Sequence, residues 1–281
     1  MSSTTGPAST TAKFVFMVPP ECGVRAYLHT EADPITGVRK INFSREEKEV
    51  PVENLRGKED TVSLDTTGFQ YSKHASKHTA FSNDDDIRAE YYPESAELIK
   101  KLTGASRVVF FDHTIRRRNP DQVDENAQTR QPVAQAHVDQ TTKASIARVH
   151  RHLPADEVPK LLEKRFQIIN LWRPIEVPAF DWPLALCDYR SVNPAQDVFP
   201  VALITATYEG ETLGVRYKPD YKWKYLHGMT PDEVVLIKCF DSVQDGSVAV
   251  FTPHTGFQDP NTPADAPPRQ SIELRGLVFY D

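Results

Sequence analysis

Short apolar-rich segments of strand length, broken by Gly, Pro and polar residues, recur along most of this chain. Between residues 13 and 75 the segments KFVFMV, VRAYLHT, INFSREEKEV and ENLR carry the pattern. It returns in SRVVFFDHTI at 106–115 and RFQIINLWRPI at 165–175. It continues in VFPVALITATYEG, GETLGVRYKP, KWKYLHGM, EVVLIKCFDS, SVAVFTP and the closing RQSIELRGLVFYD. Two stretches follow the helical period instead. Residues 83–105 open on the acidic run Asp84 to Asp86 and continue through AELIKKL after Pro93. From Leu153 to Arg165, Val158, Leu161 and Leu162 share one face with Phe166. The polar stretch 116–131 has no apolar period and reads as a loop, which could cap a pocket.

Many strands broken by Gly, Pro and Asp, with few helices between them, predict a mainly β protein with flanking helices. Its core is expected to be a double-stranded β-helix, a jelly-roll or cupin-like barrel, over residues 106–281. Residues 13–105 read as an N-terminal extension of the same single domain, 13–281. The Ser/Thr/Gly/Ala-rich residues 1–12 read as a disordered tail.

Composition narrows the function. A net charge of −6, with Arg116 to Arg118 as the longest basic run, argues against a general nucleic-acid binder. Cys22, Cys187 and Cys239 are widely spaced and form neither a zinc motif nor a disulfide framework, as in a reduced cytosolic protein. No apolar run approaches the ~20 residues that span a bilayer, and the N-terminus lacks the pattern of a signal peptide. The expectation is a cytoplasmic protein with no membrane partner. Strand edges in the N-terminal part would need cover, which a homodimer could supply.

The candidate chemistry lies in QPVAQAHVDQ, residues 131–140. On a strand, His137 and Asp139 point to the same face. With one more His they would form the 2-His-1-carboxylate facial triad of non-heme Fe(II) oxygenases, which leaves positions open for substrate, co-substrate and dioxygen. His150, His152, His227 and His254 are the candidates for that third ligand. His254 is favoured, because it lies far downstream, at the end of the strand SVAVFTP, where a barrel mouth would form.

Beyond His254, Arg269 and Ser271 share one face of the last strand. A guanidinium fork and a hydroxyl suit the far carboxylate of 2-oxoglutarate. Arg275 has the same parity and is the reserve candidate, for the co-substrate or for a buried pair. In NLWRPI, Asn170, Trp172 and Pro174 form one face that could line a pocket, and Arg173 on the other could pair with Asp181 or Glu176. Phe110, Phe111, Trp172 and Phe257 are aromatic candidates for the lining around a large apolar substrate. Lys238 sits inside an apolar strand and needs a partner, Asp241 or Glu233.

QPVAQAHVDQT, NLWRPI with DWPLALCD, MTPDEVVLIKCFDS and FTPHTGFQDPNTPADAPPRQSIELRGLVF together resemble the hydroxylase/desaturase family of fungal and bacterial secondary metabolism. That family includes the cephalosporin 7-alpha-hydroxylase component and fungal meroterpenoid tailoring oxygenases, endoperoxide-forming ones among them. The resemblance covers nearly the whole chain, about residues 13–281. It implies Fe(II), 2-oxoglutarate and O2, with His137, Asp139 and His254 as the iron ligands and Arg269 with Ser271 on the co-substrate. It also implies attack on an unactivated C–H bond, giving hydroxylation, desaturation or an endoperoxide. The long spacing from His254 to Arg269 departs from the family pattern and keeps Arg275 in consideration. Two other readings of the same residues remain. One is a cupin-like metal hydrolase or isomerase; the other is a non-catalytic barrel that binds a small ligand.

Overall fold

A computed structural model describes residues 5–119, 121 and 130–281. Most of the connection 116–131 therefore lies outside the described residues, as do residues 1–4. The strands are β1 (Ser9–Val18), β2 (Ala26–Ala32), β3 (Arg39–Ile41), β4 (Ser44–Asn54), β5 (Phe69–Lys73), β6 (Arg107–Arg117), β7 (His137–Val138) and β8 (Phe166–Pro174). They continue as β9 (Leu184–Cys187), β10 (Val198–Ile204), β11 (Glu209–Val215), β12 (Trp223–Tyr225), β13 (Glu233–Asp241), β14 (His254–Gly256) and β15 (Gln270–Phe279). They form two sheets. The larger runs β1-β4-β12-β9-β14-β7-β11-β10-β2-β3, and the smaller runs β5-β13-β8-β15-β6.

This is the jelly-roll core expected from the strand pattern. The larger sheet curls. A parallel bridge from Val15 to Gln135, with Ala136 N–H donating to Val15 O at 2.8 Å, ties β1 back to the segment that leads into β7. One apolar cluster fills the space between the sheets, including Ile168, Trp172, Leu186, Val235 and Ile237. A second lies inside the curl, around Phe14, Phe16, Val138 and Trp223. A third joins the outer face of the smaller sheet to the helical stretch, through Ile87, Leu98, Ile99, Leu171 and Leu274.

The expected helix at 83–105 is present as α1 (Asp84–Asp86), a π-helical turn (Ile87–Tyr91) and α2 (Tyr92–Thr103). Asn83 caps its start by accepting from the Asp85 N–H, and Gly104, at φ 74°, ends it in the left-handed region that glycine tolerates.

The N-terminal residues depart from the expectation in two ways. Ser9–Ala12 are not part of a disordered tail; they pair in register with Val50–Glu53, and Thr10 and Ala12 are buried. Residues 13–105 are not a mere extension either. β1 to β4 join the larger sheet and β5 pairs with β13 in the smaller one. Such long-range pairing leaves no mark in a local pattern.

Two further corrections lie near the site. The helix expected over Leu153 to Arg165 is only α4 (Val158–Leu162), and a longer one, α3 (Thr142–His152), precedes it. Pro154 stops α3 at Leu153, and Pro159 is tolerated only in the first turn of α4. Thr141 caps α3 by accepting from Ala144 N–H. SVAVFTP forms no strand. The backbone there is tied to a turn instead: Ala249 N–H donates to Asp65 O, and Thr252 Oγ1 to Gly68 O. Pro253 has no N–H for a ladder. The strand begins at His254 rather than ending there.

The buried charges are paired differently from one case to the next. Lys238 Nζ meets Asp241 and Asp65, each at 2.7 Å, and Glu233 pairs with Arg56. Arg173 pairs with neither Asp181 nor Glu176. It donates to the carbonyls of His74 and Pro231 and lies over the Tyr91 ring.

Candidate metal and co-substrate site

β7 and β14 are antiparallel neighbours with His137 directly opposite His254, so both side chains leave the sheet on one face. Their ring centroids are 4.4 Å apart. Asp139, two residues after His137, follows on the same face. Ligand atoms of His137, Asp139 and His254 lie within 4.8 Å of one another, and no other such trio converges among the described residues.

Both imidazoles are held by their Nδ1 atoms. His137 Nδ1 lies 2.8 Å from Gln135 O, and His254 Nδ1 lies 3.0 Å from Thr252 O. A ring that donates from Nδ1 to a carbonyl turns Nε2 inward as the available ligand atom. His137 Nε2 is 3.3 Å and His254 Nε2 3.8 Å from Asp139 Oδ1.

The charges suit a cation. Burial works against the Asp139 carboxylate, yet the hydrogen bond from His137 and the charge of Arg275 outweigh it and hold this acid well below the usual carboxylate range. Burial also opposes a charged His137, but the Asp139 hydrogen bond raises its proton affinity above that of an ordinary imidazole. Burial and the neighbouring His137 lower His254. A metal ion held at Nε2 competes with protonation of that nitrogen.

Arg269 lies just before β15, 3 % exposed, with its guanidinium over the Trp172 ring. Nη1 donates to Trp182 O at 2.6 Å, while Nε is buried without a partner among the described residues. Asp181 accepts from the Arg269 backbone N–H, but its carboxylate is held on both oxygens by Arg118 at 3.1 Å. Burial, with Arg116 adding repulsion, pushes the Arg269 guanidinium down to about 9. A buried cation in this condition fits an anion. Trp182 itself has φ 47°, a left-handed conformation that costs a bulky residue energy and is found where a site fixes the backbone. Ser271, 1 % exposed, lies on β15 two residues after Arg269, which the sequence pattern places on the strand and the structure just before it.

Arg275 is not in that anion pocket. Its Nε donates to Asp139 Oδ2 at 3.3 Å and its Nη1 to Asp112 at 3.1 Å, with Glu273 on Nη2. Of its two expected roles it has the buried pair. The other histidines are elsewhere: His227 faces Asp259 at 3.6 Å, His152 stacks on Phe111 and His150 is exposed on α3. Trp172 lies beneath Arg269, whereas Phe110 packs on Tyr92 and Phe257 on Phe14 and Tyr225, in other clusters. Sequence reasoning gave Asn170 no specific partner; its Nδ2 donates to Asp139 Oδ2 at 2.7 Å. The only local signal was an amide inside a strand that is buried at every position.

A family profile described as "YDMC: Oxidoreductase/YMDC permease-like domain" matches residues 14–279. Among the described residues no helix is long and apolar enough to cross a membrane. The Fe(II)/2-oxoglutarate-dependent dioxygenase nvfI of Aspergillus novofumigatus is 32% identical over 274 residues, 94% of this chain and 95% of that protein. The hydroxylase/desaturase CTB9 of Cercospora beticola is 35% identical over 257 residues, 84% of this chain and 78% of the relative. A solved structure of the iron and alpha-ketoglutarate-dependent endoperoxidase NvfI superposes with a TM-score of 0.85 at 28% identity, covering 97% of this chain and 98% of the other.

Proposed function

The chain belongs to the Fe(II)/2-oxoglutarate-dependent oxygenases that include the fungal hydroxylase/desaturases, and from that premise we propose that His137, Asp139 and His254 hold Fe(II) while Arg269 and Ser271 hold the far carboxylate of 2-oxoglutarate. The observation that carries this is the pairing of two features in one barrel. Two Nε2 atoms and one carboxylate oxygen converge, and a buried guanidinium with a free Nε lies over Trp172. A metal hydrolase or isomerase would have no use for that guanidinium, and a non-catalytic barrel none for the trio.

When bound, Fe(II) with 2-oxoglutarate and O2 supplies an oxidant able to take hydrogen from an unactivated C–H bond. The chain does the rest. The Gln135 and Thr252 carbonyls set both imidazole tautomers. Arg269 and Ser271 orient the co-substrate from its distal end. Trp172 covers the guanidinium and keeps water from weakening its hold.

The substrate is proposed to be a large apolar secondary metabolite of the fungal meroterpenoid class, with hydroxylation, desaturation or endoperoxide formation as the outcome. A cavity of about 620 Å³ is lined by Gln140, the residue after Asp139 in sequence, by Leu213, Phe240 and Phe251, and also by the polar Lys143, Glu211 and Gln244. Its size and the apolar part of its lining suit such a molecule. Wild-type protein is expected to convert 2-oxoglutarate to succinate, to stop when a chelator removes the metal and to resume with added Fe(II) but not Zn(II). Succinate formation that survives chelation would contradict the assignment.

The protein is proposed to work in the cytoplasm, where tagged chain should be found. A second copy is proposed to cover the β3 edge, beside which Ile35 and Val38 are exposed. Sedimentation should show a dimer, and a monomer at all concentrations would exclude it.

A further inference from the structure

The two oxygens of Asp139 have different surroundings. Oδ1 faces the two histidines. Oδ2 points the other way, to Asn170 Nδ2 at 2.7 Å and Arg275 Nε at 3.3 Å. Asn170 on β8 and Arg275 on β15 are cross-strand partners in the smaller sheet. They reach together across the barrel to a carboxylate that follows β7 of the larger sheet.

The positions are specified on both strands. In the pairing of β15 with β6 the register shifts between Arg275 and Gly276, leaving Arg275 opposite Asp112. Bulges of this kind re-aim side chains beside active sites. Arg275 is then fixed from its far end by Asp112, Thr114 and Glu273. Asn170 is fully buried and its Oδ1 has no partner among the described residues. An amide kept in an apolar strand with half its capacity unmet is explained by its one good bond, the one to Asp139.

We infer that Asn170 and Arg275 are positioning residues that keep Asp139 a one-oxygen ligand. A carboxylate with both oxygens free can turn to grip a cation through both. That would occupy a coordination position which the open triad leaves for co-substrate or dioxygen. With Oδ2 committed to two donors, only Oδ1 is offered. The inference rests on the proposed metal site and adds to it a determinant of coordination number, located in the other sheet.

The test uses full-length protein and Co(II) alone, without co-substrate or turnover. Co(II) visible absorption reports coordination number, and titration gives affinity. Wild type, Asn170→Ala and Arg275→Lys are compared, with metal-free melting curves for each. Lysine keeps the buried charge but lacks the planar fork, so Arg275→Lys guards against an alanine variant that does not fold. The expected result is a roughly 10–100-fold loss of Co(II) affinity, the usual cost of losing an outer partner of a ligand. A Co(II) spectrum moved toward a higher coordination number should accompany it, with the metal-free fold retained. Wild-type affinity and spectrum in the variants would overturn the positioning role and leave the metal site standing. No Co(II) binding by wild type would overturn both.

Discussion

Asp139→Ala is expected to abolish Fe(II) binding and 2-oxoglutarate turnover while the protein stays folded. Asp139 is the only carboxylate of the converging trio, and it is ionised because His137 and Arg275 hold it so. Without it, two imidazoles 4.4 Å apart remain, with no negative charge between them to attract a divalent cation. The loss should exceed the roughly 10–100-fold that follows from removing an outer partner. The fold should survive, because the partly buried Arg275 keeps Asp112 and Glu273 and is not left as an unpaired charge. Fe(II) titration with a parallel melting curve checks both halves. Ordinary turnover in this variant would remove the metal assignment.

Arg269→Ala is expected to raise the 2-oxoglutarate requirement steeply with little effect on Fe(II) affinity. Truncating one partner of a buried charge pair costs about 2–5 kcal/mol, roughly 30- to 4,000-fold in dissociation constant. Arg118 cannot take over, since its guanidinium holds Asp181, and Arg275 is committed to Asp139, Asp112 and Glu273. Arg269→Lys should fall between, keeping the charge without the fork. Co-substrate titration of the Fe(II) protein separates the cases. An unchanged requirement in Arg269→Ala would place the anion elsewhere.

The proposed site was legible where its chemistry is local. His137 and Asp139 follow from the strand period, and Arg269 and Ser271 from the same period and from their order after His254. His254 was found through its place in the chain although the strand assigned to it was wrong, because Pro253 turns SVAVFTP into a tied loop. α3 had readable signals, a Thr141 cap and buried Ala144, Ser145 and Val149 at helical spacing, but the stronger apolar run beyond Pro154 masked them. What no local pattern could give is partnership between sheets. That Asn170 and Arg275 meet Asp139 depends on how β8, β15 and β7 are brought together. The path of β1 through both the curl and the larger sheet has the same origin. Parity placed Asn170 and Arg275 on their strand faces but could not choose their partner.

The central claim is that one barrel holds iron through His137, Asp139 and His254 and 2-oxoglutarate through Arg269. Anaerobic titration of the metal-free protein with Fe(II) and then 2-oxoglutarate, followed by visible absorption, tests it most directly. The account predicts a weak band that appears only when both are present, is absent in His254→Ala, and needs far more 2-oxoglutarate in Arg269→Ala. No band from the wild-type protein, or an undiminished band from His254→Ala, would contradict it.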